Sequence, residues 1–313
     1  MRSITNKSHS IGIQAQEQRR SRWRRALARN IPAYLFLLPA LILFAVYLWW
    51  PIISSFIVSF QRVDLRNEPT WVGLANFRRV ISDPLFLTAW KNALYYTQLA
   101  LLFGYAAPVV LAIAINEMRW KSYFRTAFYL PAILPAIVSA LMWSWFLSPG
   151  PEGLANSVLR YLGLPQLAWL QSPRTAMTSI VIITTWAGAG GAAILYLAAL
   201  QGIPAHLYDA AEIDGANLWQ RIRHITLPQI RGVMLLFLVG QVINTMQLFT
   251  EPFALTGGGP ANATLTPMLL LYRYAFEYND FGAASAMGVI MFIVLSGLSI
   301  WYIRKIFLAS RSS

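Results

Sequence analysis

The chain has 313 residues, 57% of them hydrophobic and only 12% charged, with a net charge of +13 and no cysteine. Soluble domains carry about 25% charged residues, so this composition, with recurring apolar runs longer than about 18 residues, excludes a soluble protein. The basic residues flank the apolar runs, which reads as membrane orientation rather than nucleic-acid binding, and the lack of cysteine excludes disulfides and thiolate metal sites.

Residues 1–33 form a polar tail with Arg19, Arg20, Arg22, Arg24, Arg25 and Arg29 clustered late. Its first part has few aromatics and no period, as in disordered segments. The arginine cluster serves to hold the tail in the cytoplasm; anionic lipid is a second partner it could meet. The first apolar run, 34–60, is longer than the core of a signal peptide and lacks a small-residue cleavage site after it. It is read as span one, with Pro39 and Pro51 as candidate kinks. Five more spans follow at 92–115, 126–147 (with Pro131 and Pro135), 175–200 (with Gly188, Gly190 and Gly191), 232–250 and 281–303. The expectation is an all-α integral membrane domain over 34–308 with six transmembrane helices, then a short tail over 309–313. Seventeen Lys and Arg fall on the N-terminal side of this arrangement and eight on the other. The positive-inside rule then places both termini in the cytoplasm.

No Asp, Glu, Lys or Arg lies inside those six spans. Ion-driven carriers usually keep ionisable groups in the membrane for coupling, so an ion-coupled secondary transporter is the weaker alternative, although sodium coupling through neutral oxygens stays open. A phosphate-cradling loop needs Gly before its lysine. None of Lys7, Lys91, Lys121 and Lys305 has one, so no such nucleotide site is expected. His9, His206 and His224 lack metal-ligand spacing. No Gly-x-Ser-x-Gly elbow occurs, which leaves a membrane-embedded enzyme as the least supported class.

Polar side chains inside the spans are the candidates for lining a cavity. Gln241, Asn244 and Thr245 share one helical face of span five, where they serve either as interhelical hydrogen bonds or as pore-facing groups. In span four, Thr184, Thr185 and Trp186 precede Gly188, Gly190 and Gly191. The small residues imply close helix packing, or room for a bulky ligand beside an aromatic.

Between spans four and five lies a polar island, 201–231, holding Asp209, Glu212 and Asp214. It reads as two short helices broken at Gly215, which can take the positive φ of a turn. Leu218, Ile222 and Ile225 give the second helix an apolar face, and Pro228 opens the next span. This L-shaped pair suits the membrane interface or a groove on a partner, and its amphipathicity leaves both open.

Asp209-Ala210-Ala211-x-x-x-Gly215, followed by Ile225-Thr226-Leu227-Pro228, resembles the E-A-A loop of bacterial binding-protein-dependent ABC importer permeases, with Asp209 where the family usually has Glu. Trp71-Val72-Gly73-Leu74-Ala75-Asn76-Phe77, Lys91-Asn92-Ala93, Leu255-Thr256-Gly257-Gly258-Gly259-Pro260 and Tyr272-Arg273-Tyr274-Ala275-Phe276 resemble the carbohydrate-uptake branch, akin to maltose and glycerol-phosphate permeases. The resemblance implies a non-catalytic permease subunit of the cell inner membrane, with no cofactor of its own. It would work with a second homologous permease, two ATP-binding cassette subunits carrying ATP and Mg, and an extracytoplasmic solute-binding protein; the lipid bilayer, not nucleic acid, surrounds it. By the same resemblance, Asp209, Ala210, Ala211, Glu212, Asp214, Gly215, Leu218, Ile222 and Pro228 would couple to the ATPase. Gln241, Thr245, Trp186 and Gly188 would, by that resemblance, line the substrate cavity, and the polar neighbours Asn244 and Thr184 are candidates beside them.

Overall fold

The computed structural model describes residue 30 and residues 34–63, 68–150 and 152–309, with side chains through Lys305. The basic tail over 1–33, apart from Asn30, and the last residues, 310–313, lie outside that range. Two compact units divide at Ile57 and Val58. The first contains all but the last residue of helix α1, Tyr34–Val58, 25 residues long and apolar enough to cross a membrane. None of its side chains is buried. A π-helical turn at Ala45–Trp49 stands just before Pro51. Proline lacks an N–H and crowds the carbonyl one turn back, and a wider turn relieves that crowding without breaking the helix.

The second unit begins with a minimal antiparallel ladder, β1 (Gln61–Arg62) and β2 (Thr70–Trp71), paired Gln61 to Trp71 and Arg62 to Thr70. Apart from this ladder the described residues are helical or irregular. Helix α2, Ala75–Ser82, leads into α3, Pro84–Glu117. The start of α3 is set chemically: the Asp83 carboxylate accepts from the Leu85 N–H at 2.8 Å, and Pro84 occupies the first turn, where a missing N–H costs nothing. Helix α3 is eight residues longer at its start than the expected span and carries a π-helical turn at Ala100–Gly104.

The third span departs from a single rod. Helices α4, Lys121–Ile133, and α5, Ala136–Phe146, meet at 96°. Leu134 is extended (ψ 133°), the conformation a following proline imposes, and Pro135 starts the new helix. The described residues thus hold five straight candidate spans, or six with this bent pair taken as one. Helix α6, Leu154–Tyr161, lies in the next loop, where buried Asn156 accepts from the Leu167 N–H and Trp169 indole and donates to the Ser148, Pro149 and Leu167 carbonyls.

Helix α7, Ala176–Gln201, is the central element. Then come α8, Ala205–Ile213, and a long helix α9 over 218–246, composed of Leu218–Arg221, a π-helical turn Ile222–Thr226 and Leu227–Met246. The fifth span was expected to begin afresh after Pro228. Instead the second arm of the island is the first part of α9, because the π turn absorbs the proline as in α1. Helices α10 (Thr250–Thr256), α11 (Pro267–Tyr272, continued by a π turn Arg273–Glu277) and α12 (Phe281–Ala309) complete the chain.

The core is in separate packets along α3 and α7. Val109, Ala112 and Ile115 of α3 pack with Ala193, Tyr196 and Leu197 of α7 and Ile230 of α9. Nearer the start of both helices, Tyr96 and Ala100 pack with Met177, Ile180, Val181 and Leu248. A further packet joins Val80, Ala89, Leu265, Leu269, Leu270 and Met287. The glycines of α7 divide by face. A Cβ on Gly190 would stand 1.8 Å from the Phe128 carbonyl oxygen, whereas one on Gly188 would meet nothing within 4 Å. Gly190 is therefore what lets α7 touch the backbone of α4, and Gly188 faces open space.

Candidate functional site

The middle of α3 and α7, between the first two packets, is hollow. A cavity of about 250 Å³ is lined by Tyr96, Ala100, Gly104 and Pro108 of α3, Thr184, Thr185, Gly188, Ala189 and Ala192 of α7, Gln241, Asn244 and Thr245 of α9, then Leu248 and Glu251. Five sequence-derived candidates, Thr184, Gly188, Gln241, Asn244 and Thr245, thus converge on one space. Trp186 does not join them: its ring packs edge-on against Trp143 at 5.5 Å and borders a separate apolar groove with Pro131 and Gly190. Two residues along a helix is a turn of about 200°, which puts Trp186 opposite Thr184.

The converging hydroxyls are not equivalent. Tyr96 donates to Thr184 Oγ1 at 3.0 Å, and Thr184 in turn donates to the Ile180 and Val181 carbonyls. Thr97 donates to Thr245 Oγ1 at 3.0 Å, and Thr245 donates to the Val242 carbonyl. Both threonines hold helices together, as interhelical hydrogen bonds in membranes do. Thr185 Oγ1, by contrast, is buried without a partner. It stands 3.3 Å from where a Cβ on Gly104 would lie, with Gln241 Nε2 3.5 Å from the same point. The missing side chain of Gly104, at the end of the π turn in α3, lets this hydroxyl and this amide approach its backbone closely. Buried polar groups are normally paired, which makes the Thr185 hydroxyl an exception.

A carboxylate also lines the cavity: Glu251, in the first turn of α10 and one residue beyond the expected end of span five.

The island lies at the other end of α9. Gly215 has φ +73°, and a Cβ there would touch nothing, so the glycine serves the backbone conformation alone. Asn217 caps α9 in a reciprocal box with Gln220, the arrangement that satisfies two free N–H groups at a helix start. Tyr208 and Thr226 share a hydrogen bond of 3.0 Å that ties α8 to the π turn. Asp209, Ala210, Glu212, Asp214, Gly215, Leu218 and Pro228 are exposed, while Ala211 and Ile222 are half-buried. Two residues absent from the sequence-derived set stand out: Ile213 is 87% exposed and Trp219 66%. Large apolar side chains on a polar loop mark an interaction surface.

The remaining motifs gather around the glycine-rich loop. Asn92 donates to the carbonyls of Asn262 and Leu265 at 2.7 and 2.9 Å. Arg273 donates to the Gly257 carbonyl at 2.7 Å and faces Glu277 at 3.8 Å. Gly257 and Gly258 have φ of +58° and +91°, and a Cβ on Gly258 would lie 2.9 Å from the Arg273 guanidinium. Asn76, buried, donates to the Ser59 and Gln61 carbonyls, and Gly282 permits that approach. Tyr274 donates to the Asp83 carboxylate; burial first, and this hydrogen bond second, hold its phenol above the ordinary range.

Residues 104–307 match the family described as binding-protein-dependent transport system inner membrane component. The arabinooligosaccharides transport system permease protein AraP of Bacillus subtilis (strain 168) is 34% identical over 286 residues, 90% of this chain and 91% of that protein. A chain of a bacterial ABC transporter involved in the import of the acidic polysaccharide alginate superposes with a TM-score of 0.81 at 29% identity, covering 91% of this chain and 98% of its own. A second structure, the bacterial alginate ABC transporter in complex with an alginate pentasaccharide-bound periplasmic protein, gives 0.79 at 28%, covering 89% and 94%.

Proposed function

We infer that this chain, which belongs to the binding-protein-dependent transport system inner membrane components, is the permease subunit of an ATP-driven carbohydrate importer and passes a sugar or oligosaccharide through the cavity between α3, α7 and α9. Members of the family are non-catalytic, with ATP hydrolysis on separate subunits. The observation that carries the reading is the reach of α9. One helix presents exposed Trp219 at its start and Gln241 and Asn244 to the cavity near its end.

In this reading the loop from Pro204 to Thr226 is cytoplasmic and docks on an ATP-binding subunit, which holds ATP and Mg. Asp209, Glu212 and Asp214 supply exposed charge, Ala210 and Ala211 leave room for close approach, and Ile213, Leu218 and Trp219 supply apolar anchors. Two such ATPase subunits, a second homologous permease and an extracytoplasmic binding protein complete the machine, with both termini on the ATPase side. The loop around Gly257–Pro260 faces the binding protein. Closure of the ATPases moves the loop, α9 moves with it, and the cavity changes the side to which it opens. Thr185, Gln241 and Asn244 pair with sugar hydroxyls, while Thr184 and Thr245 set the helix positions.

Gly215→Pro tests the coupling. Proline cannot adopt φ +73°, so the α8–α9 turn must rearrange, while the spans are untouched. The expected result in the assembled complex is normal membrane insertion, ATPase activity that no longer responds to the loaded binding protein, and loss of uptake. Unchanged uptake would sink the reading. So would accumulation of solute by the reconstituted chain from an ion gradient without any ATPase.

A further inference from the structure

The one carboxylate among the residues that line the cavity is Glu251. No Lys, Arg or His lines it. The described ion pairs, Arg79 with Asp280 and Arg273 with Glu277, involve other carboxylates, so Glu251 has no cationic partner among the described residues. The groups sharing the space with it are Tyr96, threonine hydroxyls, Gln241 and Asn244. These pair with sugar hydroxyls but neutralise nothing. A lone carboxylate beside walls of low polarity acts at longer range than one in water.

We propose that Glu251 sets the charge specificity of the cavity, admitting neutral and amino sugars and rejecting uronates and sugar phosphates. This rests on the cavity being the solute path. A carboxylate accepts two hydrogen bonds in one plane, which suits two neighbouring hydroxyls on a ring, or the ammonium of an amino sugar. The carboxylate of a uronate brought to the same place meets a like charge with no cation to offset it. The similar alginate importer carries an acidic polysaccharide, and on this point the present chain differs from it in selectivity while sharing its fold.

The chain has no cysteine of its own, so a single reporter can be placed in the cavity. Ala192→Cys is labelled in the reconstituted complex, with partner permease and ATPase subunits present, by cationic, anionic and neutral methanethiosulfonate reagents. Modification of this chain is read by mass. The ratio of cationic to anionic rates, normalised to that of a free thiol, should favour the cation, fall about tenfold in Glu251→Gln, and be kept in Glu251→Asp. A ratio unchanged by Glu251→Gln overturns the proposal. An equal fall in Glu251→Asp also overturns it, because the effect would then follow shape and not charge. The neutral reagent distinguishes failure of the underlying reading. If its rate does not change on adding Mg-ATP with orthovanadate, the cavity is not part of the transport cycle; if it changes while the charge ratio ignores Glu251, the specificity proposal alone fails.

Discussion

The glycine-rich loop and the island are both conspicuous in sequence, and the structure treats them in opposite ways. Around Gly257–Pro260 the conspicuous residues are spent on one another: Asn92, Arg273 and Thr264 donate to backbone carbonyls of the loop, and beyond it Tyr274 binds Asp83 at the start of α3 while Asp280 pairs with Arg79 of α2. Around Gly215 the conspicuous residues turn outward, and the internal side-chain bonds are few: a capping box, the Tyr208–Thr226 pair, and one-turn contacts of His224 and Thr226 with the Gln220 and Arg221 carbonyls. A motif that satisfies itself builds a surface; a motif that leaves Ile213 and Trp219 uncovered is waiting for one.

That contrast can be broken at graded cost. The largest effect belongs to neither region but calibrates both: Gly190→Ala forces a Cβ into the Phe128 carbonyl and should cost about 3 kcal/mol or more, seen as loss of monodisperse protein in detergent, while Gly188→Ala should fold normally. Asn92→Ala strips two loop carbonyls of their donor and should cost about 3 kcal/mol, lowering the melting temperature of the purified chain. Trp219→Ala should change stability by less than about 0.5 kcal/mol, leaving the melting temperature near the parent's, yet weaken copurification of the ATPase subunit about tenfold or more. A melting shift as large as that of Asn92→Ala would erase the distinction between the two regions. Arg79→Ala removes a pair whose arginine is largely exposed and should cost less than about 1 kcal/mol, marking the outer edge of the loop network as dispensable.

Much of this was legible in the sequence. Hydropathy located every long apolar helix, and Gly215 announced its turn. The bend between α4 and α5 was hidden because an apolar window does not register direction; Leu134-Pro135 carries the signal, through the extended conformation that proline imposes on its predecessor. Trp186 was grouped with Thr184 by nearness in sequence, although helical periodicity sets them on opposite faces. Glu251 escapes the periodicity because α9 ends at Met246 and α10 starts at Thr250, so helical spacing from Gln241 and Asn244 does not carry across the break. What no pattern could supply is which hydroxyls are free: Thr184 and Thr185 are neighbours of identical chemistry, yet the first is engaged by Tyr96 and by the Ile180 and Val181 carbonyls while the second has no partner.

Helix α9 gives the molecule a lever. From Trp219 to Asn244 it rises about 37 Å at 1.5 Å per residue, with no break in the hydrogen-bonded backbone other than the widened turn at Ile222–Thr226. A tilt of only about 5° over that length displaces one end by about 3 Å relative to the other, the size of a hydrogen bond. Motion too small to repack the core at one end is therefore large enough at the other to change which groups Gln241 and Asn244 can reach across the cavity.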